Sequence, residues 1–246
     1  MTNKNKVICF DLDDTLIDDN YKFELTFCDC IRVIITALET RSPAIDTILQ
    51  TARDIDNVSW QTWPNDKKYM PSRVANSWVS AYVQLAQENK IPVRAHVKRL
   101  IWSLVMTNYD PPYFVIPGVI ETLTELKNRG YTMHVITIGH DVIQRRKLTV
   151  TKLIKFFEKV HIVKSDKTEV LRELGKEHGM ENTFMVGNSM RSDINPSIEA
   201  GIHSYYIARG NWHGFKADPI SDNFTKLKEI RSLLHTFTEE TPQEKI

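Results

Sequence analysis

The sequence predicts an α/β protein: a three-layer core built on a parallel sheet, with an all-helical domain inserted into it. Two observations favour this fold class. Short runs rich in β-branched residues alternate with segments of helical periodicity from about Pro117 onward. By contrast, residues 18–111 contain no glycine and show apolar residues at helical spacing only. Strand and helix in repetition imply crossover connections and a parallel sheet that is covered on both faces.

The predicted core elements follow one another in regular order. Five apolar runs are candidate buried strands, at residues 7–10, 133–138, 160–163, 183–186 and 204–208. Helical patterns lie between them, for example at 119–129, 141–152 and 167–178. Several of these patterns end in a glycine (Gly130, Gly179 and Gly201), as helix C-caps do. The core is therefore predicted to comprise residues 1–17 and 112–236.

The insert is predicted to be a helical domain at residues 18–111. Apolar residues such as Phe23, Phe27, Ile31, Ile34 and Leu38 recur at helical spacing. Prolines at positions 43, 64, 71 and 92 divide the segment into roughly four helices. The polar stretch 237–246 is predicted to be a disordered tail.

Composition limits the possible partners and compartments. The chain has 246 residues and a net charge of +1, from 32 basic and 31 acidic residues. Such a balance provides no field that attracts nucleic acid or an anionic membrane, and the run at residues 145–147 is interpreted as a solvated helix face. No signal-peptide pattern and no long uncharged apolar segment are present. We expect a cytoplasmic protein, either a monomer or a homodimer, that binds neither nucleic acid nor membrane.

Candidate ligand-binding residues lie at or just beyond the carboxyl end of each of the first four predicted strands. They are Asp11 and Asp13; Thr137, Ile138 and Gly139; Lys164 and Lys167; and Gly187, Asn188, Ser189 and Asp193. Ligands of open parallel sheets bind beyond the carboxyl ends of the strands. We therefore expect these residues to converge on one edge, and a set of acids, a hydroxyl and a lysine suits phosphoryl transfer.

The predicted chemistry requires a cation. A phosphate ester is anionic and repels a carboxylate nucleophile, so a divalent cation must offset the charge. Mg²⁺ fits best, because it prefers oxygen ligands and uses few protein carboxylates. Asp11 and Asp193 would supply carboxylates, and the backbone carbonyl of Asp13 would supply a third oxygen.

The roles at the strand ends follow from this arrangement. Asp11 and Asp13 are two residues apart, so their side chains would share a face of an extended strand. One carboxylate could attack phosphorus, while the other protonates the leaving oxygen and later activates water. Thr137 could bind a phosphoryl oxygen together with Ile138 and Gly139, and a lysine could neutralise charge in the transition state.

Four ordered motifs carry a resemblance to a known family. FDLDDTL (10–16), VITIG (135–139), the lysine in VKSDKTE (163–169) and MVGNSMRSDINPSIEAG (185–201) resemble those of the haloacid dehalogenase superfamily. The resemblance implies a Rossmann-like core with a C1-type cap, and the DxDxT form implies phosphatase activity. It also implies that Asp11 is the nucleophile, Asp13 the general acid/base, Thr137 the phosphate-binding hydroxyl and Asp193 a metal ligand.

Two positions depart from the family's pattern or match it in more than one way. The family's fourth motif often reads Gly-Asp-Ser, whereas this chain has Asn188, which we expect to play a supporting role. The third-motif lysine could be Lys164 or Lys167. We favour Lys167, because SDKTE is typical of a helix N-terminus, where an anion is also well placed. Trp212 and His213 are further candidate substrate contacts.

The functional prediction is a Mg²⁺-dependent phosphatase acting on a small phosphorylated metabolite. The helical domain would close over the substrate and set specificity. A phosphomutase of the same superfamily and a non-catalytic binding protein that retains the fold are the alternatives. Dehalogenation is disfavoured, because that branch is expected to lack a second acid equivalent to Asp13.

Overall fold

The computed structural model describes residues 6–64, 67–210 and 217–237. It contains a six-stranded parallel sheet in the order β3-β2-β1-β4-β5-β6. The strands are β1 (Val7–Phe10), β2 (Thr132–Ile138), β3 (Lys159–Val163), β4 (Thr183–Gly187), β5 (His203–Ile207) and β6 (Phe224–Leu227). The predicted fold class, an α/β protein with a parallel sheet, is confirmed.

Helices make up most of the remaining described structure. They are α1 (Asn20–Leu38), α2 (Ile45–Thr62), α3 (Pro71–Glu88), α4 (Ala95–Met106), α5 (Val119–Asn128), α6 (Asp141–Val150), α7 (Thr168–His178), α8 (Asn195–Ala200) and α9 (Leu233–Thr236). A π-helical turn, Met190–Ile194, precedes α8. Among the described residues, no helix is long and apolar enough to cross a membrane.

The chain forms two compact units. The sheet unit comprises Met1–Asp19 and Tyr113–Ile246, and the helical unit comprises Asn20–Pro112. The bounds predicted for the insert, residues 18–111, lie within two residues of this division.

The central strand β1 explains why the sheet is covered on both faces. Ile8 and Phe10 belong to one apolar cluster, whereas Val7 and Cys9 belong to another. Successive side chains of a strand point to opposite faces, so an uninterrupted apolar run requires cover on each side. All four residues of the strand are fully buried.

The helical unit has a core of its own. The apolar faces of α1, α2, α3 and α4 meet in one cluster that includes Ile34, Ile48, Tyr82 and Ile101. Pro71 begins α3, a position where the missing N–H of proline is tolerated. The proline-delimited helical pattern therefore corresponds to four α-helices in the described part of this unit.

Strand β6 was not among the five predicted strands. It pairs with β5 in parallel at the edge of the sheet, and Thr225 and Lys226 are exposed. An edge strand with charged, solvated residues lacks the continuous apolar run that marks a buried strand.

Candidate active site

Asp11 lies at the point where β1 leaves the sheet. Its N–H still donates to the carbonyl of Val186 on β4, at 2.9 Å, so the ladder fixes the backbone one residue beyond the strand. The residue is buried, with 8% of its surface exposed. The carboxylate is therefore held at the carboxyl edge of the sheet by the central strand itself.

Lys167 connects Asp11 to Asp193. Its Nζ lies 2.6 Å from Oδ1 of Asp11 and 2.6 Å from Oδ1 of Asp193. Lys167 is 1% exposed and immediately precedes α7, whereas Lys164 is exposed. Of the two lysines considered from the sequence, Lys167 is therefore the one that contacts the acids.

Asp193 is positioned by the turn that follows β4. Its Oδ2 accepts a hydrogen bond from the N–H of Ser189 at 2.8 Å, and its own N–H donates to the Ser189 carbonyl at 2.9 Å. A Cβ added to Gly187 would lie 2.3 Å from Cγ of Asp193. The glycine in MVGNS is thus required for the close approach of this carboxylate to the strand end.

Burial is the main cause of the altered pKa of Asp11. Burial raises the pKa of this carboxyl from 3.8 to about 7; Lys167 opposes the shift, while Asp193 and Asp13 add to it. Burial disfavours the charged form of Lys167, but Asp11 and Asp193 outweigh this and raise its pKa. Lys167 therefore favours the charged form of Asp11 but does not offset the effect of burial on its pKa.

Asp13 faces helix α6. Its Oδ1 accepts a hydrogen bond from Nζ of Lys147 at 2.7 Å, and its Oδ2 accepts one from Nε2 of Gln144 at 2.8 Å. The same Nε2 donates to Oγ1 of Thr137 at 2.7 Å. Because the Thr137 hydroxyl accepts this bond, its own proton is available for an anionic acceptor.

Ile138 and Gly139 end β2 next to these residues. The N–H of Gly139 donates to the carbonyl of Val163 at 3.2 Å, which continues the ladder with β3. A Cβ on Gly139 would lie 2.9 Å from the Gln144 side chain, so the glycine lets Gln144 pack closely. The binding of phosphate by Ile138 and Gly139 stays a prediction.

Asn188 follows β4 and is linked to Thr15. Its Oδ1 accepts a hydrogen bond from Oγ1 of Thr15 at 3.1 Å, and its Nδ2 donates to the carbonyl of Arg209 at 2.9 Å. Thr15 Oγ1 also lies 3.4 Å from Oδ2 of Asp11. Thr15 therefore links the Asn188 amide oxygen to Asp11, the candidate nucleophile, while the amide nitrogen binds the chain that follows β5.

One interpretation of the sequence was wrong. The run at residues 145–147 was interpreted as a solvated helix face, but Lys147 is 3% exposed and forms salt bridges with Asp13 and Asp19. Arg145 is exposed as expected. Sequence reasoning also missed Gln144 and Thr15, although the spacing of 144 and 147 is one helical turn and could have indicated a shared face.

The donor set fits Mg²⁺. Asp11 and Asp193 bring two buried carboxylates together, and burial, which raises the pKa of Asp11, disfavours an ionised carboxylate that a bound cation would stabilise. Among the described residues, no three His, Cys, Asp or Glu side chains are grouped to hold a metal ion. Mg²⁺ is typically bound by one or two carboxylates and retains water, which is the number of carboxylates that Asp11 and Asp193 bring together.

The fold and these strand-end acids define a class of α/β enzymes with a buried aspartate at the end of the central strand. The haloacid dehalogenase-like hydrolase family matches residues 5–201 of the chain. The chain belongs to this family, and the predicted family and hydrolase class are confirmed. Trp212 and His213 lie outside the described residues.

Curated relatives and solved structures are similar to most of the chain. The glyceraldehyde 3-phosphate phosphatase of Pyrococcus furiosus is 26% identical, with 84% of this chain and 82% of the relative covered. That of Pyrococcus abyssi is 23% identical, over 98% and 97%. A haloacid dehalogenase-like hydrolase structure from Xanthomonas campestris has a TM-score of 0.73 at 18% identity, covering 94% of this chain and 89% of the other. This structural likeness supports the fold.

Proposed function

We propose that the chain is a Mg²⁺-dependent phosphatase that hydrolyses a small phosphate monoester through an aspartyl-phosphate on Asp11. One observation carries the proposal: Lys167 bridges the buried carboxylates of Asp11 and Asp193 at 2.6 Å each. These three residues follow three different strands of the sheet. Their convergence brings a nucleophile, a neutralising cation and a metal ligand to one edge.

In the first step, a carboxylate oxygen of Asp11 attacks phosphorus and the bond from phosphorus to the leaving oxygen breaks. Asp13 gives its carboxyl proton to that oxygen, so the product leaves as a neutral alcohol. Lys167 neutralises charge on the transferring group, and the Thr137 hydroxyl donates to a phosphoryl oxygen.

In the second step, water attacks the phosphorus of the aspartyl-phosphate. Asp13, now a carboxylate, takes a proton from this water, and the bond between phosphorus and Asp11 breaks. Inorganic phosphate leaves, Asp11 returns to its carboxylate form and Asp13 again carries the proton needed for the next turnover.

The metal would be held by the carboxylates of Asp11 and Asp193 and by the backbone carbonyl of Asp13. Bound Mg²⁺ would reduce the repulsion between the anionic ester and the carboxylate that attacks it. The Asn188 amide oxygen supports this set through Thr15, and it adds no charge of its own.

The relatives suggest the substrate class. Four curated relatives are glyceraldehyde 3-phosphate phosphatases, at 23% to 30% identity. We propose that a three-carbon sugar phosphate or a similarly small phosphorylated metabolite is the substrate.

The test is release of inorganic phosphate from a panel of monoesters that includes glyceraldehyde 3-phosphate, with and without Mg²⁺. We expect turnover that requires Mg²⁺ and is lost in Asp11→Asn. Asp222→Asn, which changes an exposed acid of the sheet unit, serves as the matched control and should retain full activity. Wild-type turnover in Asp11→Asn would refute the nucleophile assignment.

The same panel separates the alternatives. A phosphomutase would return a bisphosphorylated or isomeric product in place of free phosphate. A binding protein that retains only the fold would neither bind Mg²⁺ nor release phosphate from any ester.

A further inference from the structure

Lys147 is a buried cation that the proposed reaction does not yet use. It lies in α6 and its side chain is 4% exposed. Burying an ammonium is unfavourable unless carboxylates surround it. Its Nζ lies 2.7 Å from Oδ1 of Asp13 and 2.9 Å from Oδ1 of Asp19. The burial of Lys147 is therefore tied to these two acids.

Helix α6 holds both oxygens of the Asp13 carboxylate. Lys147 contacts Oδ1, and Gln144, almost one helical turn earlier, donates to Oδ2. Asp13 itself lies after the end of β1, outside the regular ladder. Its side-chain direction is thus fixed by α6 and not by the strand.

We propose that Lys147, together with Gln144, positions Asp13 for proton transfer to the leaving group. This inference rests on the proposed phosphatase function, in which Asp13 is the general acid/base. A general acid must lie within hydrogen-bond reach of the leaving oxygen. A shift of about 1 Å in such a group costs on the order of 100-fold in rate.

Asp19 explains how a lysine can perform this role. Oδ1 of Asp19 lies 2.9 Å from Nζ of Lys147, so the buried ammonium has a counter-ion besides Asp13. Two carboxylates on different parts of the chain therefore hold Lys147 beside Asp13.

Gln144 extends the arrangement to the phosphate-binding side. Its amide nitrogen donates both to Asp13 and to Oγ1 of Thr137, at 2.8 and 2.7 Å. One side chain of α6 thus sets the spacing between the acid and the hydroxyl that would contact phosphate. The proton donor Asp13 and the phosphate-binding hydroxyl of Thr137 are thus positioned by the same side chain.

A comparison of leaving groups tests this role. An alkyl phosphate must receive a proton as its alkoxide leaves, whereas p-nitrophenolate leaves readily without one. The value of kcat/KM includes the step in which the leaving group departs. We therefore expect Lys147→Met to lower kcat/KM about 10- to 100-fold for an alkyl phosphate and less than about threefold for p-nitrophenyl phosphate.

Matched variants complete the experiment. Gln144→Met removes the other contact to Asp13 without changing charge and should lower the same ratio of alkyl to aryl kcat/KM. Arg145→Met removes an exposed cation from the same helix and should leave the ratio unchanged. Circular dichroism establishes that each variant is folded.

The outcomes are distinct. The positioning role would be overturned if the ratio of alkyl to aryl kcat/KM were unchanged, whether or not both rates fall. It would also be overturned if neither Lys147→Met nor Gln144→Met folded, which would leave a structural role. Those results leave the proposed function intact as long as the wild-type protein releases phosphate. If the wild-type protein hydrolyses no ester, the proposed function fails, and the positioning role fails with it.

Discussion

Replacing Lys167 by Met tests the charge balance at the site. Methionine keeps most of the apolar stem, so the main change is the loss of an ammonium that contacts Asp11 and Asp193 at 2.6 Å each. Removing one partner from a buried ion pair destabilises a protein by about 3–5 kcal/mol, because the remaining charge is left uncompensated. Here two buried carboxylates lose their shared cation, so we expect a loss within this range.

The loss should depend on pH in a defined direction. Burial raises the pKa of Asp11 to about 7 although Lys167 opposes the shift, so removing Lys167 should raise this pKa further. A group with a raised pKa in the folded state binds protons more tightly than in the unfolded chain, so its contribution to stability decreases as pH rises. The difference in unfolding free energy between variant and wild type should therefore be larger near about pH 8 than near about pH 5.

Urea unfolding of the metal-free proteins at the two pH values measures this difference. Lys164→Met is the matched control, because it removes an exposed lysine only three residues away and should change stability little. Phosphate release should fall about 100- to 1,000-fold in Lys167→Met, as for the loss of a charge-stabilising group. If the stability loss is the same at both pH values, it arises from packing and the charge argument is wrong.

Three further predictions concern the same edge of the sheet. Asn188→Asp replaces the amide that donates to the Arg209 carbonyl at 2.9 Å. Calorimetry should show tighter Mg²⁺ binding and, without metal, a lower melting temperature; an unchanged affinity for Mg²⁺ would contradict this. Gly187→Ala places a Cβ 2.3 Å from Cγ of Asp193, so phosphate release should fall at least about 10-fold; a wild-type rate would show that the carboxylate need not approach so closely. Asp11→Asn removes a carboxyl whose pKa is raised from 3.8 to about 7 by burial, so the metal-free variant should gain more stability over wild type near about pH 8 than near about pH 4; urea unfolding that gives equal gains would refute this.

Several residues of the candidate site could be predicted because the sheet topology determines where they lie. In a parallel sheet every strand ends at the same edge, so a residue directly after a strand needs no further information to be placed there. Asp11 was placed in this way. Lys167, four residues after β3, was chosen because SDKTE is typical of a helix N-terminus, and the structure brings it into contact with Asp11. Asp193 comes six residues after β4, and the glycine and serine of the turn return it to the strand end.

Gln144 and Lys147 could not be predicted in the same way. They lie within a helix, where the contacts of a side chain depend on how the helix is rotated against the sheet, and a run of basic residues is usually solvated. Arg145 and Lys147 are two residues apart, yet one is exposed and the other is buried against Asp13. The distinction depends on tertiary packing, which the local sequence does not determine.

The acids of DLDD serve different purposes, and their charges bear on the proposed metal. Asp11 and Asp193 share Lys167, and Asp13 and Asp19 share Lys147, so two buried ammonium groups face four carboxylates. Asp14 is a further buried acid; it adopts a positive φ of 59° and accepts a hydrogen bond from the N–H of Asp19 at 3.1 Å, which shapes the turn. With the four carboxylates that contact these two lysines ionised, the surplus is two negative charges, and a phosphate dianion would add two more. A divalent cation is therefore the simplest counter-charge that lets this site accept its proposed substrate.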